Sequence, residues 1–138
     1  MKRTEAREAA FKLLYSLQLM EDVNIDEQTA IFIENNDIQD SEAIKYIKNI
    51  IDGTNKENTE LEKIISQNIK EDWDIKRISK IDLTLLKLGI FEIIYSKLPY
   101  KVVINEVVEL SKKYGDDSSK SFINGVLASV VKKNEIAE

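Results

Sequence analysis

The sequence contains no cysteine and no histidine. Without Cys the chain has no disulfide and no thiol nucleophile, and without either residue the usual zinc sites are excluded. The commonest general base of enzymes is also missing, because that role usually falls to His. The composition therefore predicts a protein that is not an enzyme and needs neither metal nor cofactor. Absence of Cys is also typical of the reducing cytosol, so the predicted location is cytoplasmic.

Helix breakers are scarce as well, with four Gly and one Pro in 138 residues. Hydrophobic residues make up 43% and charged residues 33%, which is typical of a globular chain and not of a disordered one. No apolar run reaches the roughly 18 residues of a membrane span, and Arg7, Glu8 and Lys12 interrupt the first apolar stretch. We therefore expect an all-α protein without a membrane segment or an N-terminal signal.

The formal net charge of −5 argues against a nucleic-acid partner, but the charges are unevenly distributed. Residues 1–20 carry four basic and two acidic side chains, and residues 72–138 carry eleven basic and ten acidic ones. The acid is concentrated in residues 21–71, where thirteen carboxylates face five lysines. A polyanion would therefore avoid the middle of the chain and meet its two ends.

Apolar residues recur at helical spacing along most of the chain and predict about seven helices in two small packed bundles. We expect one domain over residues 1–138, with a helical half at about 1–72, a joint around Trp73 and a second half at about 73–138. The second half begins with a helix that is apolar on most sides and is therefore central. Predicted helix starts and ends are Thr4, Asp26, a turn or kink at Gly53, a cap at Gly115, and Asp116 to Ser118 before the last helix.

The first helix places Arg3, Arg7, Phe11 and Tyr15 at successive i, i+4 positions, so that they are neighbours on its surface. Arginine can pair with phosphate through two hydrogen bonds, and aromatic rings can stack on unpaired bases. This pattern predicts an edge for single-stranded RNA. The alternative is that both rings face the core and both arginines are merely solvated.

The last helix begins with Ser118, Lys120 and Ser121, where free N–H groups and the positive end of the helix dipole favour phosphate. Gly125 lies inside its apolar stretch, and such a glycine usually permits a close contact between helices. Asn105 and Glu106 in the preceding helix have no second group at a fixed spacing, so we interpret them as structural and not catalytic.

Four segments together resemble the NusB family of transcription antitermination factors. Order, spacing and length agree over essentially the whole chain, although residues 21–60 match only in pattern. The segments are Arg7-Glu8-Ala9-Ala10 through Ser16, Asp82 through Glu92, Pro99-Tyr100-Lys101-Val102 through Leu110, and Phe122-Ile123-Asn124-Gly125-Val126-Leu127.

The resemblance implies an all-α fold of two helical bundles that binds boxA RNA in nascent ribosomal RNA. It implies NusE, a ribosomal protein of the small subunit, as the partner, and RNA polymerase and other Nus factors as indirect partners. Mapped onto this chain, it implies Asp82 near the NusE side, and Lys87 where the family usually has Arg. The implied RNA-binding residues are Lys2, Arg3, Arg7, Tyr15, Lys87, Ser118, Lys120, Ser121 and Phe122.

The N-terminus carries fewer arginines than the most arginine-rich family members, which suggests that NusE supplies much of the basic surface that binds RNA.

Two other functions fit the sequence. An RNA-binding domain of a ribosomal RNA methyltransferase would need a following cofactor-binding domain, and no Gly-rich motif of that kind is found. A protein-only helical adaptor would use the acidic middle. The RNA hypothesis requires the first helix and the start of the last helix to form one continuous surface.

Overall fold

The structure, a computed structural model, describes residues 1–136. Within them the chain forms seven α-helices and no β-strand, which confirms the predicted fold class. A 3₁₀ turn (Ile75–Arg77) precedes α5, and a π-helical turn (Phe91–Tyr95) follows it. The α-helices are α1 (Arg3–Gln18), α2 (Ile25–Asn35), α3 (Ser41–Lys56), α4 (Asn58–Ser66), α5 (Lys80–Ile90), α6 (Tyr100–Tyr114) and α7 (Ser119–Lys133).

The chain divides into two compact units, residues 1–53 and 54–138. The predicted boundary near residue 72 instead lies inside the second unit, in the irregular segment between α4 and α5. The reason is that α4 packs on α5 and therefore belongs with the helices that follow it. Gly53 is not a turn, because α3 continues through it to Lys56 and the break comes at Glu57.

In residues 1–53 the small residues of α1 are buried, and the N-terminus is fixed by an ion pair. The Met1 ammonium lies 2.8 Å from a carboxylate oxygen of Asp40, just before α3. This hydrogen bond and the positive charge raise the pKa of the amine, and the same hydrogen bond lowers the pKa of Asp40. This ion pair holds Met1 in place, directly before the basic residues Lys2 and Arg3.

In residues 54–138 the central element is α5, as its apolar sequence predicted. Leu85, Leu86, Leu88 and Ile90 are fully buried, and α4, α6 and α7 all pack against this helix. Gly89 permits the closest approach: a Cβ built there would lie 3.1 Å from a methyl carbon of Leu127. Within the described residues no helix is long and apolar enough to cross a bilayer.

Two predicted caps are wrong by a few residues. Thr4 lies inside α1, and the Glu5 carboxylate accepts a hydrogen bond from the Lys2 N–H at 3.0 Å instead. Asn24, and not Asp26, caps α2 by accepting from the Glu27 N–H at 3.0 Å. Both helices therefore begin one or two residues earlier than expected, because these side chains can satisfy the free N–H groups there.

Gly115 does end α6, but for a different reason than predicted. Its φ of −89° is not left-handed, so the usual argument for a glycine cap does not apply. A Cβ at this position would lie 2.5 Å from the Ser119 hydroxyl and 2.8 Å from the Ser111 carbonyl oxygen. The glycine is needed because the start of α7 passes directly against the end of α6.

Candidate nucleic-acid interface

The basic residues at the start of α1 have different environments. Lys2 and Arg3 are exposed, whereas Arg7 is only 3% exposed. Both guanidinium groups lie over the ring of Tyr46, that of Arg3 at 4.2 Å and that of Arg7 at 5.8 Å from the ring centre. Arg7 is therefore buried, so the alternative of two solvated arginines is wrong for it, and its predicted RNA contact stays a prediction.

Stacking on Tyr46 positions the guanidinium of Arg3 at the surface, and its predicted phosphate contact stays a prediction. The contact uses the face of the guanidinium, whereas phosphate binds its N–H edge. Within residues 1–136 those N–H groups make no hydrogen bond or ion pair. Arg3 and Lys2 are thus the exposed cations that the first unit offers to an anion at this end of α1.

The aromatic residues further along α1 contribute less than the spacing suggested. Phe11 is 2% exposed and belongs to the core. Tyr15 is half-buried and stacks on Phe11 at 6.2 Å between ring centres. Phe11 therefore faces the core, as the alternative interpretation of the spacing expected. The RNA contact of Tyr15 stays a prediction.

Lys87 is buried in α5 and is already paired. Its ammonium donates to the amide oxygen of Asn58 at 2.8 Å and to a carboxylate oxygen of Glu62 at 2.9 Å. These bonds tie α4 to α5 within the second unit. An RNA contact at Lys87 would require breaking them, so the structure favours a structural role for this residue.

Asp82 is also buried, at 8% exposure, near the start of α5. Its own N–H donates to the Ser79 hydroxyl at 3.1 Å, which caps the helix. Burial is the main reason that the pKa of Asp82 is raised, and the hydroxyls of Ser119 and Ser79 partly oppose this. Asp82 thus lies behind the surface between α5 and α7, and its contact with NusE stays a prediction.

Replacing Asp82 by Asn should raise the free energy of unfolding at pH 7. The carboxyl binds a proton more readily in the folded than in the unfolded chain, so its ionised form opposes folding once the pH exceeds its folded pKa. We expect the gain to shrink as the pH is lowered to 3 in urea titrations. Asp117→Asn, at an exposed position just before α7, is the control, and an equal effect of both changes would refute this explanation.

The start of α7 exposes the other predicted residues. Ser118, Lys120 and Ser121 are exposed, and Phe122 is half-buried. The Ser118 N–H and hydroxyl both donate to a carboxylate oxygen of Asp116, at 2.9 and 2.7 Å, and these bonds lower the pKa of Asp116. Asp116 therefore holds the turn before α7, as predicted, and leaves Lys120 and Ser121 facing outwards.

Trp73 extends this surface, although the sequence placed it only in a joint. Its ring lies 5.8 Å from that of Phe122, tilted by 32°, and it remains 40% exposed. The sequence signal that could have identified Trp73 as a surface residue is its position among the charged residues Glu71, Asp72 and Asp74, where burial is unexpected.

The described residues contain no cluster of carboxylates suited to a metal ion.

Gly125 does not make the close helix contact that the sequence predicted. It is exposed, and a Cβ built there would have nothing within 4 Å. The glycine with that role is Gly89 in α5. Gly125 instead lines an open cleft beside Trp73 and Phe122.

Known proteins resemble this chain along nearly its full length. The model of the NusB family matches residues 4–132. Transcription antitermination protein NusB of Ruminiclostridium cellulolyticum is 41% identical, over 96% of this chain and 90% of that protein. NusB of Clostridium botulinum is 40% identical, over 96% of this chain and all of its own.

Among solved structures, one contains the antitermination factors NusB and NusE in complex with double-stranded RNA. It superposes with a TM-score of 0.86 at 30% identity and covers 95% of this chain and 96% of that one. Fold, length and sequence therefore lead to the same assignment, and the chain belongs to the NusB family of transcription antitermination proteins.

Proposed function

We propose that this protein binds boxA RNA of nascent ribosomal RNA together with NusE and so keeps RNA polymerase transcribing. The observation that carries the proposal is the exposed set of Lys2, Arg3, Lys120 and Ser121, together with the half-buried Phe122, on a chain that matches the NusB family along residues 4–132. A relative of the same fold has been solved with NusE and RNA, which supports the same pair of partners here.

The proposed role needs no catalysis. Three exposed cations, a hydroxyl-bearing helix start and a half-buried aromatic ring would bind and orient a polynucleotide, and RNA polymerase and other Nus factors would be reached only through the assembled complex. We propose that it acts in the cytoplasm, where transcription takes place.

The charge of the chain suggests that NusE strengthens RNA binding. The net charge is −5, and Arg7 and Lys87, two of the predicted RNA-binding cations, are buried. Since each phosphate contact contributes to affinity, a chain with few exposed cations binds weakly alone. Labelled boxA RNA should therefore bind more tightly when NusE is present, and equal affinity in both titrations would contradict this part of the proposal.

Replacing Lys2 and Arg3 together by Ala should weaken RNA binding and reduce its salt dependence. Two lost phosphate contacts lower the slope of log affinity against log salt by about 1.4 for a single strand. The control is Lys45→Ala with Lys48→Ala, which removes the same charge from exposed positions of α3. Fluorescence anisotropy at several salt concentrations measures both variants.

The same titration separates the proposal from a protein-only adaptor. An RNA-binding protein loses affinity steeply as salt rises, whereas an adaptor has no RNA affinity to lose. Binding of NusE without measurable RNA binding, by the chain alone or by the pair, would favour the adaptor. An equal loss from both lysine-containing double variants would mean that net charge and not the start of α1 carries the binding.

A further inference from the structure

A cleft of about 310 Å³ opens beside the start of α7, entirely within the second unit. Its lining is mostly apolar and includes the rings of Trp73 and Phe122. Lys70 and Ser121 supply polar atoms, and neither side chain makes a hydrogen bond or ion pair within residues 1–136. The Trp73 ring is 40% exposed and lines the same cleft as the unpaired Lys70 ammonium, whereas a ring that serves only the core would be buried away from charge.

Gly125 keeps this cleft open at a cost in helix stability. Glycine in an exposed helix interior is about 1 kcal/mol less favourable than Ala. Neither common reason for a glycine applies, because Gly125 has no positive φ and no neighbour within 4 Å of an added Cβ. What the missing side chain does provide is room between α7 and the ring of Trp73.

Asn68 gives the cleft a fixed wall. Its amide nitrogen donates to the Ile64 carbonyl at 2.8 Å, and its amide oxygen accepts from the Ser129 hydroxyl at 2.7 Å. With both amide groups engaged, Asn68 holds its position in the lining. The groups left to bind a ligand are the two rings, the Lys70 ammonium and the Ser121 hydroxyl.

We infer that this cleft holds one unpaired nucleobase of the bound RNA, with Trp73 as a stacking residue. The inference rests on the proposed function and adds Trp73, Lys70 and the cleft they line to Ser121 and Phe122, which are among the RNA-binding residues expected for the family. The volume is at the low end for small-ligand sites, which suits one planar ring better than a docked helix. A base offers a π face to Trp73 and polar edges to Ser121, and its phosphate offers a charge to Lys70.

Trp73 also provides the readout, because it is the only tryptophan of the chain. A base stacked on the indole should quench its fluorescence, so the protein is titrated with single-stranded boxA RNA and with the same sequence as a duplex. We expect quenching by the single strand and little by the duplex, whose bases are already stacked. Binding seen by anisotropy without any quenching would overturn the inference and leave the proposed function standing. Absence of RNA binding both by the chain alone and by the chain with NusE would overturn both.

A larger side chain at position 125 would fill the cleft and so test the same site without disturbing the fold. Gly125→Leu should weaken single-stranded RNA binding about tenfold, the loss of one stacked base, while the stability in urea is not lowered. Ala128→Leu, at an exposed position of α7 outside the cleft, should leave the RNA affinity unchanged. Trp73→Phe should keep most of the affinity, and Trp73→Ala should lose about tenfold.

Two results with these variants would overturn the inference. If Gly125→Leu weakens NusE binding and leaves RNA binding intact, the cleft belongs to a protein partner. If Ala128→Leu weakens RNA binding as much as Gly125→Leu does, the effect is one of bulk on α7 and not of the cleft.

Discussion

Replacing Arg7 by Ala should lower the free energy of unfolding by about 2 kcal/mol, whereas Arg3→Ala should cost about 1 kcal/mol or less. Arg7 is 3% exposed, so its truncation removes packing as well as a cation over the Tyr46 ring. Arg3 lies on the surface and loses mainly the ring contact. Urea unfolding of the two single variants measures the difference.

RNA affinity should show the reverse order once the folded fraction is corrected for. Arg3 offers free N–H groups to a phosphate, while Arg7 is enclosed. We therefore expect Arg7 to contribute mainly to stability and Arg3 mainly to RNA affinity. Equal stability of both variants, or a larger loss of RNA affinity from Arg7→Ala in folded protein, would mean that Arg7 is part of the RNA surface after all.

Replacing Gly89 by Leu should destabilise the second unit by about 3 kcal/mol. The added Cβ alone would lie 3.1 and 3.2 Å from the two Leu127 methyl carbons and 3.4 Å from a Val107 methyl carbon, so the rest of the leucine has no space. α5 is the central helix of this unit, and moving it would disturb α6 and α7 together.

Gly125→Leu is the matched comparison, because it makes the same change in an exposed helix position. Helix propensity favours leucine over glycine, so we expect equal or slightly higher stability there. Thermal and urea unfolding of the two variants should thus move in opposite directions. Destabilisation by both changes to the same extent would contradict the packing described here.

The sequence was sufficient for the fold because helical periodicity is a local property. It predicted an all-α chain of seven helices with α5 as the buried centre, and the structure confirms both. The caps were harder to place, since Thr4 and Asp26 are as able to cap as Asn24, which does so, and the choice depends on which residue has the extended backbone that precedes the helix.

Site residues were harder to predict because burial depends on elements distant in sequence. Spacing put Arg3 and Arg7 side by side but could not show that Arg7 is covered. Lys87 meets Asn58 and Glu62, which precede it by 29 and 25 residues. Gly89 and Gly125 both lie within apolar helical sequence, and only the packing around them distinguishes a core contact from an open cleft.

The most direct test is photo-crosslinking of boxA RNA carrying 4-thiouridine to the protein–NusE complex, with the crosslinked residues identified by mass spectrometry. We expect crosslinks at two places in this chain, the N-terminal residues with Lys2 and Arg3, and the surface formed by Trp73 and residues 118–122. Crosslinks confined to α2 and α3, or to NusE alone, would contradict this expectation.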